Sequence, residues 1–297
     1  MNLSKKDIVI PKRKKYGKKG DNGKVLVIGG SKEYVGAPAL AGLAALRSGA
    51  DWVTIAAPEK VAWAVNSLSP DLVTAKLNGD YLSPKNVNDI AKLLKKHNIV
   101  LLGNGIGLKD ETKKFVKKII KKIYCPKVID ADAIKILSAK ELKNSIITPH
   151  IRELEIFMHN SGIDPKAMKN IINEKNAGKK ALLIKNNLQG FLDDDNVILL
   201  KGPIAVIMSK NKIYCNDVSF GMTKAGTGDV LAGMAAGFLA QSGNLLQSAM
   251  NSSYFGKIIS QTLSKRTKGF TFLASDMAAE IRRITKKQTK KGLKGEL

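Results

Sequence analysis

The sequence is poor in cysteine, in aromatic residues and in acidic residues, and each shortage excludes a class of protein. Its only cysteines are Cys125 and Cys215. Two widely separated thiols offer neither a disulfide framework nor a paired-cysteine metal motif, so both read as small apolar residues at strand ends in a chain suited to reducing conditions. Aromatics make up 5% of the chain, too few for the stacked platforms of single-stranded nucleic acid binders. No apolar run approaches the roughly 20 residues of a membrane helix, and Met1 to Lys6 lacks the apolar stretch of a secretion signal. The location that follows is cytoplasmic.

The acidic shortage is larger in effect: 25 Asp and Glu face 50 Lys and Arg, a formal net charge of +25. Such an excess attracts polyanions and phosphorylated ligands. Yet Lys113, Lys114, Lys117, Lys118, Lys121 and Lys122 interleave with Phe115, Val116, Ile119, Ile120 and Ile123, the spacing of an amphipathic helix with a solvated face. That pattern needs no nucleic acid. From Arg282 to Lys294 the charge is denser and Gly292 and Gly295 interrupt it, so a flexible basic tail is expected over 283–297.

What the chain does have is 44% hydrophobic residues over 297 positions, enough for a large core. Short β-branched runs alternate with longer helical patterns, which reads as an α/β fold: a three-layer sandwich around a mainly parallel sheet. Strands are expected at Val25–Ile28, Asp51–Ala56, Ile99–Leu102, Lys127–Ile129, Ser145–Ile147 and Val197–Leu200, with functional residues at their ends. Helices are expected over Pro38–Ser48, Val230–Ala240 and Leu245–Leu263. After Lys201 the pattern changes: Ile204–Met208 and Lys212–Cys215 flank a polar Ser209-Lys210-Asn211 turn, predicting antiparallel strands at one edge. There is no internal repeat, and one domain is expected over 1–297, its core about 17–282. A two-domain division near Asp193–Asp195 would conflict with ordinary connection lengths.

The stretch that carries chemistry is Lys224-Ala225-Gly226-Thr227-Gly228-Asp229, directly before an apolar helix. Glycines allow close approach of an anion, and the free amides of a helix start offer donors that the helix dipole reinforces. A carboxylate in that first turn can take a proton from a hydroxyl held beside a phosphate, making Asp229 a candidate general base. The competing reading is that Asp229 caps the helix.

This motif resembles the anion hole and catalytic Asp of the ribokinase-like superfamily, and other segments resemble one branch of it, the NAD(P)H-hydrate dehydratases. Those segments are Lys19-Gly20 with Gly23 to Ile28 and Gly29-Gly30-Ser31, Gly36 to Gly42 followed by Ala44 to Ala50, Gly103-Asn104-Gly105-Ile106-Gly107, Asp130-Ala131-Asp132-Ala133, Thr148-Pro149-His150 with Glu153, Lys201-Gly202, and Gly226 to Gly233. They fall in the family's order and span about residues 17 to 282.

The resemblance implies a ribokinase-like fold and a lyase that uses a nucleotide phosphate to return hydrated NADH or NADPH to the reduced cofactor. It places Asp229 as base, with the amides of Gly226, Thr227 and Gly228 around the phosphoryl group. It places Ala37, Gly105, His150 and Asp229 against the hydrated dinucleotide, and Lys201, Gly202, Pro203, Ile204, Ala205 and Gly228 against the nucleotide. ADP, or ATP, is the implied co-substrate with Mg²⁺, and Glu153 is a candidate for the water shell of that ion. Asp130 and Asp132 invite a direct metal reading, but the stronger reading is that Asp132 caps a helix beginning at Ala133, and no direct metal ligand is expected. The resemblance also implies a homo-oligomer, a tetramer, and a form without an epimerase domain.

Three segments depart from the family. Ala225 replaces a glycine and fits only with φ below zero; Val218-Ser219 stands for a Gly-Asn pair; Ala205 stands for a threonine. Two rival readings remain. One is a small-molecule kinase of the same superfamily acting on a vitamin-precursor alcohol, and the other is a basic nucleic-acid-binding protein on an inactive kinase fold.

Overall fold

The structure is a computed structural model describing residues 1–13, 16–218 and 220–293, without the side chains of residues 220–221 and 284–293. Its elements run β1 (Lys24–Ile28), α1 (Gly36–Arg47), β2 (Trp52–Pro58), α2 (Glu59–Leu68), β3 (Val73–Leu77), α3 (Val87–Leu94), β4 (Ile99–Leu102), α4 (Asp110–Ile119), β5 (Lys127–Ile129), α5 (Asp132–Ile136) and β6 (Ser145–Ile147). There follow α6 (Ile151–Asn160), α7 (Pro165–Asn173), α8 (Ala177–Asn187), α9 (Gln189–Asp193), β7 (Val197–Leu200), β8 (Ile204–Met208), β9 (Ile213–Asp217), α10 (Thr227–Ser242), α11 (Leu245–Thr267) and α12 (Ala274–Leu293).

The strands form one nine-stranded sheet in the order β3-β2-β1-β4-β5-β6-β7-β8-β9. Pairing is parallel from β3 to β7 and antiparallel for β7-β8 and β8-β9. The expected α/β class and antiparallel edge are therefore present. Strand β1 explains why its sequence is a continuous apolar run: Val25 and Val27 enter the core under α1, α10 and α11, while Leu26 and Ile28 enter the core under α3 to α9. A strand buried on both faces has no polar side to alternate with.

Helices α1 and α10 lie in close backbone contact. A Cβ on Gly233 would sit 2.2 Å from the Ala41 carbonyl oxygen, and one on Gly237 would sit 2.4 Å from that of Ala45. The small-residue composition of both helices is thus a packing requirement, and it fixes the start of α10 over the carboxyl ends of the central strands.

Three differences from expectation have physical reasons. Strand β3 had no sequence signal because it is an edge strand: Val73 and Lys76 are exposed and only Leu77 is buried, so no apolar run marks it. The helix after β5 begins at Asp132 with Ala131 in the capping position at φ +50°. Asp132 does not cap it; its carboxylate accepts from the Gly107 amide at 2.9 Å and pairs with Lys135 at 2.9 Å. Finally, α12 continues as helix to Leu293, well into the segment expected to be a flexible tail, because Lys, Gln and Arg are good helix formers. Residues 294–297 of that segment lie outside the described residues. No helix among the described residues is long and apolar enough to cross a membrane.

Candidate active site

The start of α10 carries no side-chain cap. Gly226 occupies the capping position in left-handed conformation, φ +88°. The amide of Thr227 is bound to the Lys224 carbonyl at 3.2 Å, and its hydroxyl donates to the carbonyls of Met222 and Lys224, each at 2.8 Å. Thr227 is therefore a staple for the loop before the helix, and the expected cradle of three amides is narrowed on that account. The amides of Gly228 and Asp229, in the first turn, have no acceptor within the helix. Ala225 is absent from the residues of left-handed backbone, so the alanine stands without strain where the family has glycine.

Asp229 is not a cap. Its Oδ1 accepts a hydrogen bond of 2.7 Å from Nδ2 of Asn104, which lies in the turn after β4. The same Nδ2 donates to Oδ2 of Asp130 at 2.9 Å. Asp130 sits at the end of β5, fully buried, and its Oδ1 accepts from the Thr148 hydroxyl at 2.6 Å and from Nζ of Lys201 at 3.1 Å. Burial, with the neighbouring Asp130 carboxylate second, pushes Asp229 up to about 7, while the Asn104 hydrogen bond and Lys201 pull against that rise. A carboxylate poised at such a value is matched to proton transfer near neutrality.

Lys201 follows β7, and its ammonium bridges Asp130 and Glu153, the latter at 3.4 Å. Burial alone would depress it; the two carboxylates outweigh burial and raise it above its ordinary value. Glu153 is buried near the start of α6 and caps that helix reciprocally with His150. The His150 amide donates to Oε2 of Glu153 at 2.8 Å, and the Glu153 amide donates to Nδ1 of His150 at 3.2 Å. His150 is thus both a helix cap and a half-exposed side chain. Its ring is held below the ordinary histidine value by burial, partly offset by Glu153. A short bridge between His150 and Lys201 joins the ends of β6 and β7, with the Lys201 amide donating to the Pro149 carbonyl at 2.7 Å.

Beside this network lies a cavity of about 410 Å³ lined by His150, Lys201, Gly202, Pro203, Ala205, Val218, Thr227, Gly228, Leu231, Ser253 and the loop Met222 to Lys224. Five of the six residues expected at the nucleotide line it. The exception is Ile204, which is 45% exposed and lies outside that lining. Of the Val218-Ser219 pair, Val218 lines the cavity and Ser219 lies outside the described residues.

Ala37 meets Gly105, the residue after Asn104. A Cβ on Gly105, whose φ is +69°, would lie 2.7 Å from Cβ of Tyr34 and 3.1 Å from Cβ of Ala37. The candidate substrate residues therefore divide: Ala37 and Gly105 pack against each other outside the cavity lining, and His150 lines the cavity. Sequence reasoning missed Asn104 as a functional side chain, though it stood inside a recognised glycine motif at a strand end. It also missed Met222 and Thr223, which precede the recognised motif and carry no pattern of their own. Among the described residues, no group of three His, Cys, Asp or Glu could hold a metal ion.

Residues 25–283 match the family model described as NAD(P)H-hydrate dehydratase. The chain is 34% identical over 279 residues to the bifunctional NAD(P)H-hydrate repair enzyme of Pyrobaculum aerophilum, a match covering 93% of this chain and 53% of that protein. It is 31% identical over 284 residues to the ADP-dependent (S)-NAD(P)H-hydrate dehydratase of Nitrosopumilus maritimus, covering 93% of each. The chain spans about half the length of the bifunctional relatives it matches. Among solved structures, a ribokinase-like superfamily protein of Enterococcus faecalis aligns with TM-score 0.81 at 23% identity, over 96% of this chain and 95% of that one. An ADP/ATP-dependent NAD(P)H-hydrate dehydratase of Bacillus subtilis, co-crystallised with ATP and Mg²⁺, aligns with TM-score 0.74 at 24% identity, over 93% of this chain and 94% of that one. The fold is accordingly ribokinase-like, and the chain belongs to the NAD(P)H-hydrate dehydratase family.

Proposed function

We propose that this site dehydrates hydrated NADH or NADPH at the expense of a nucleotide phosphate, with ADP as the donor named for the full-length archaeal relative. The observation that carries the reading is Asp229, a carboxylate poised at about 7 beside the free first-turn amides of α10 and a cavity lined by Lys201, Gly202 and Pro203.

Hydroxide is a poor leaving group at neutral pH, and phosphorylation replaces it with a good one. Asp229 takes the proton of the ring hydroxyl while that oxygen attacks the terminal phosphoryl group. The P–O bond to the nucleotide breaks, releasing AMP from ADP. The amides of Gly228 and Asp229 hold the charge developing on the phosphoryl oxygens. The ring nitrogen then expels inorganic phosphate, and loss of a proton from the neighbouring carbon restores the double bond. No covalent protein intermediate is required.

Mg²⁺ enters this reading as a companion of the nucleotide, where it would neutralise phosphate charge. Among the described residues, no group of His, Cys, Asp and Glu forms a protein cage for it. Glu153, the expected water-shell residue, already spends its carboxylate on Lys201 and the His150 amide, so phosphate oxygens and water would supply the ligands. Ala37 and Gly105, which pack against each other next to Asn104, are placed against the hydrated dinucleotide in this reading, and a homo-oligomer belongs to it too.

Incubation with NADH-hydrate and ADP should release AMP, inorganic phosphate and NADH in equal amounts, followed by recovery of dihydronicotinamide absorbance. A stable phosphorylated small molecule, with no recovery under ADP or ATP, would decide for a kinase.

A further inference from the structure

Asn104 is fully buried and stands where two carboxylates converge. Its single Nδ2 donates one hydrogen to Asp229 and the other to Asp130, at 2.7 and 2.9 Å. Its Oδ1, also buried, has no hydrogen-bond partner among the described residues. The orientation is forced: with the amide turned over, Oδ1 would face two acceptor oxygens and Nδ2 would have none. The residue thus leaves a buried carbonyl oxygen unpaired in order to give both hydrogens to the carboxylates, an arrangement that stability alone would not favour.

The backbone holds this side chain independently of its amide. The Asn104 carbonyl accepts from the Gly30 amide at 2.8 Å, tying the turn after β4 to the turn after β1. The groups facing Asp229 come from four elements. Asp130 at the end of β5 and Asp132 at the start of α5 oppose its negative charge, Lys201 after β7 favours it from behind Asp130, and the first-turn amides of its own helix favour it. Only Asn104 touches the carboxylate itself through a side chain among the described residues.

We propose that Asn104 is a positioning residue, which holds the Asp229 carboxylate toward the reacting hydroxyl and, by donating to it, favours its charged form against the repulsion of Asp130. The proposal rests on the reading of Asp229 as the base, but its first test does not need the hydrate. Asp229 can be titrated directly by carboxyl carbon NMR of aspartate-labelled protein, its signal assigned by its loss in Asp229→Asn.

Asn104→Leu removes the donor while keeping the volume, and Asn104→Ser removes its reach while staying polar, so one variant remains informative if the other fails to fold. In either, the Asp229 midpoint should rise above its starting value of about 7 by about one pH unit. At pH 7 the charged fraction then falls from about a half to about a tenth, a loss of roughly 5-fold in kcat that recovers towards pH 9. An Asp229 midpoint unchanged in a folded variant overturns the proposal, as does a loss of kcat equal at every pH. If the midpoint moves but NADH-hydrate is not turned over by the wild type, the dehydratase reading falls while the action of Asn104 on Asp229 stands.

Discussion

Nζ of Lys201 lies 3.1 Å from Oδ1 of Asp130, and Asp130 shares the Asn104 amide with Asp229. One cation lining the cavity is thereby connected, through two hydrogen-bonded groups, to the Asp229 carboxylate. The pairing also has a structural consequence, since the Asp130 and Glu153 side chains are only 2% and 5% exposed.

Replacing Lys201 with Met should therefore destabilise the fold, because two buried carboxylates lose their cation. The expected cost is about 3 kcal/mol at pH 7, read from urea unfolding. It should shrink as pH falls and protons replace the missing charge. An unchanged unfolding midpoint at pH 7 would show that the network carries little energy.

Asp229 links activity and stability in opposite senses. As a base it must be charged, so kcat/KM for the hydrate should climb as pH rises through about 7 and level off above it. Its folded value is raised, so the stability it contributes is fully present below the unfolded carboxylate range near pH 4 and is lost as pH rises through about 7. Asp229→Asn should cost at least ~100-fold in turnover and yet unfold at a higher denaturant concentration than the wild type at pH 8, an advantage that disappears near pH 4. Near-normal turnover in the folded variant would remove the mechanism.

Gly105→Ala places a methyl group 2.7 Å from Cβ of Tyr34 at a φ of +69°. Loss of roughly 1–3 kcal/mol is expected from strain and crowding. The segment carrying Tyr34 and Ala37 must also move, so the KM for the hydrate should rise while ADP affinity, measured by calorimetry, stays near wild type. A matching loss of ADP affinity would place Gly105 in the nucleotide site instead.

The formal charge of +25 should give only weak, sequence-independent attraction to DNA, fading as salt approaches physiological levels. On α4 the charge is partly spent on local pairs such as Lys113–Asp110 and Lys117–Glu141, with Phe115, Val116 and Ile119 buried beneath. Tight and sequence-selective binding in a salt titration would instead support a nucleic-acid role.

The sequence by itself determined the layers and the chemistry of the helix start. Apolar runs such as Ile99–Leu102 and Val197–Leu200 become strands because a strand covered on both faces must be apolar throughout. Two glycines and an aspartate before an apolar helix announce an anion site from local geometry alone. What local pattern could not determine was who meets whom. Asn104, Asp130 and Asp229 are 125 positions apart at the extremes, and only the parallel order β1-β4-β5-β6-β7 brings their strand ends beneath the start of α10. Strand order is decided by crossover handedness and by the packing of helices on the two faces, not by any residue's own preference. The shared amide of Asn104, the capping role of His150 and the pairing of Lys201 with two buried carboxylates are therefore products of the tertiary structure.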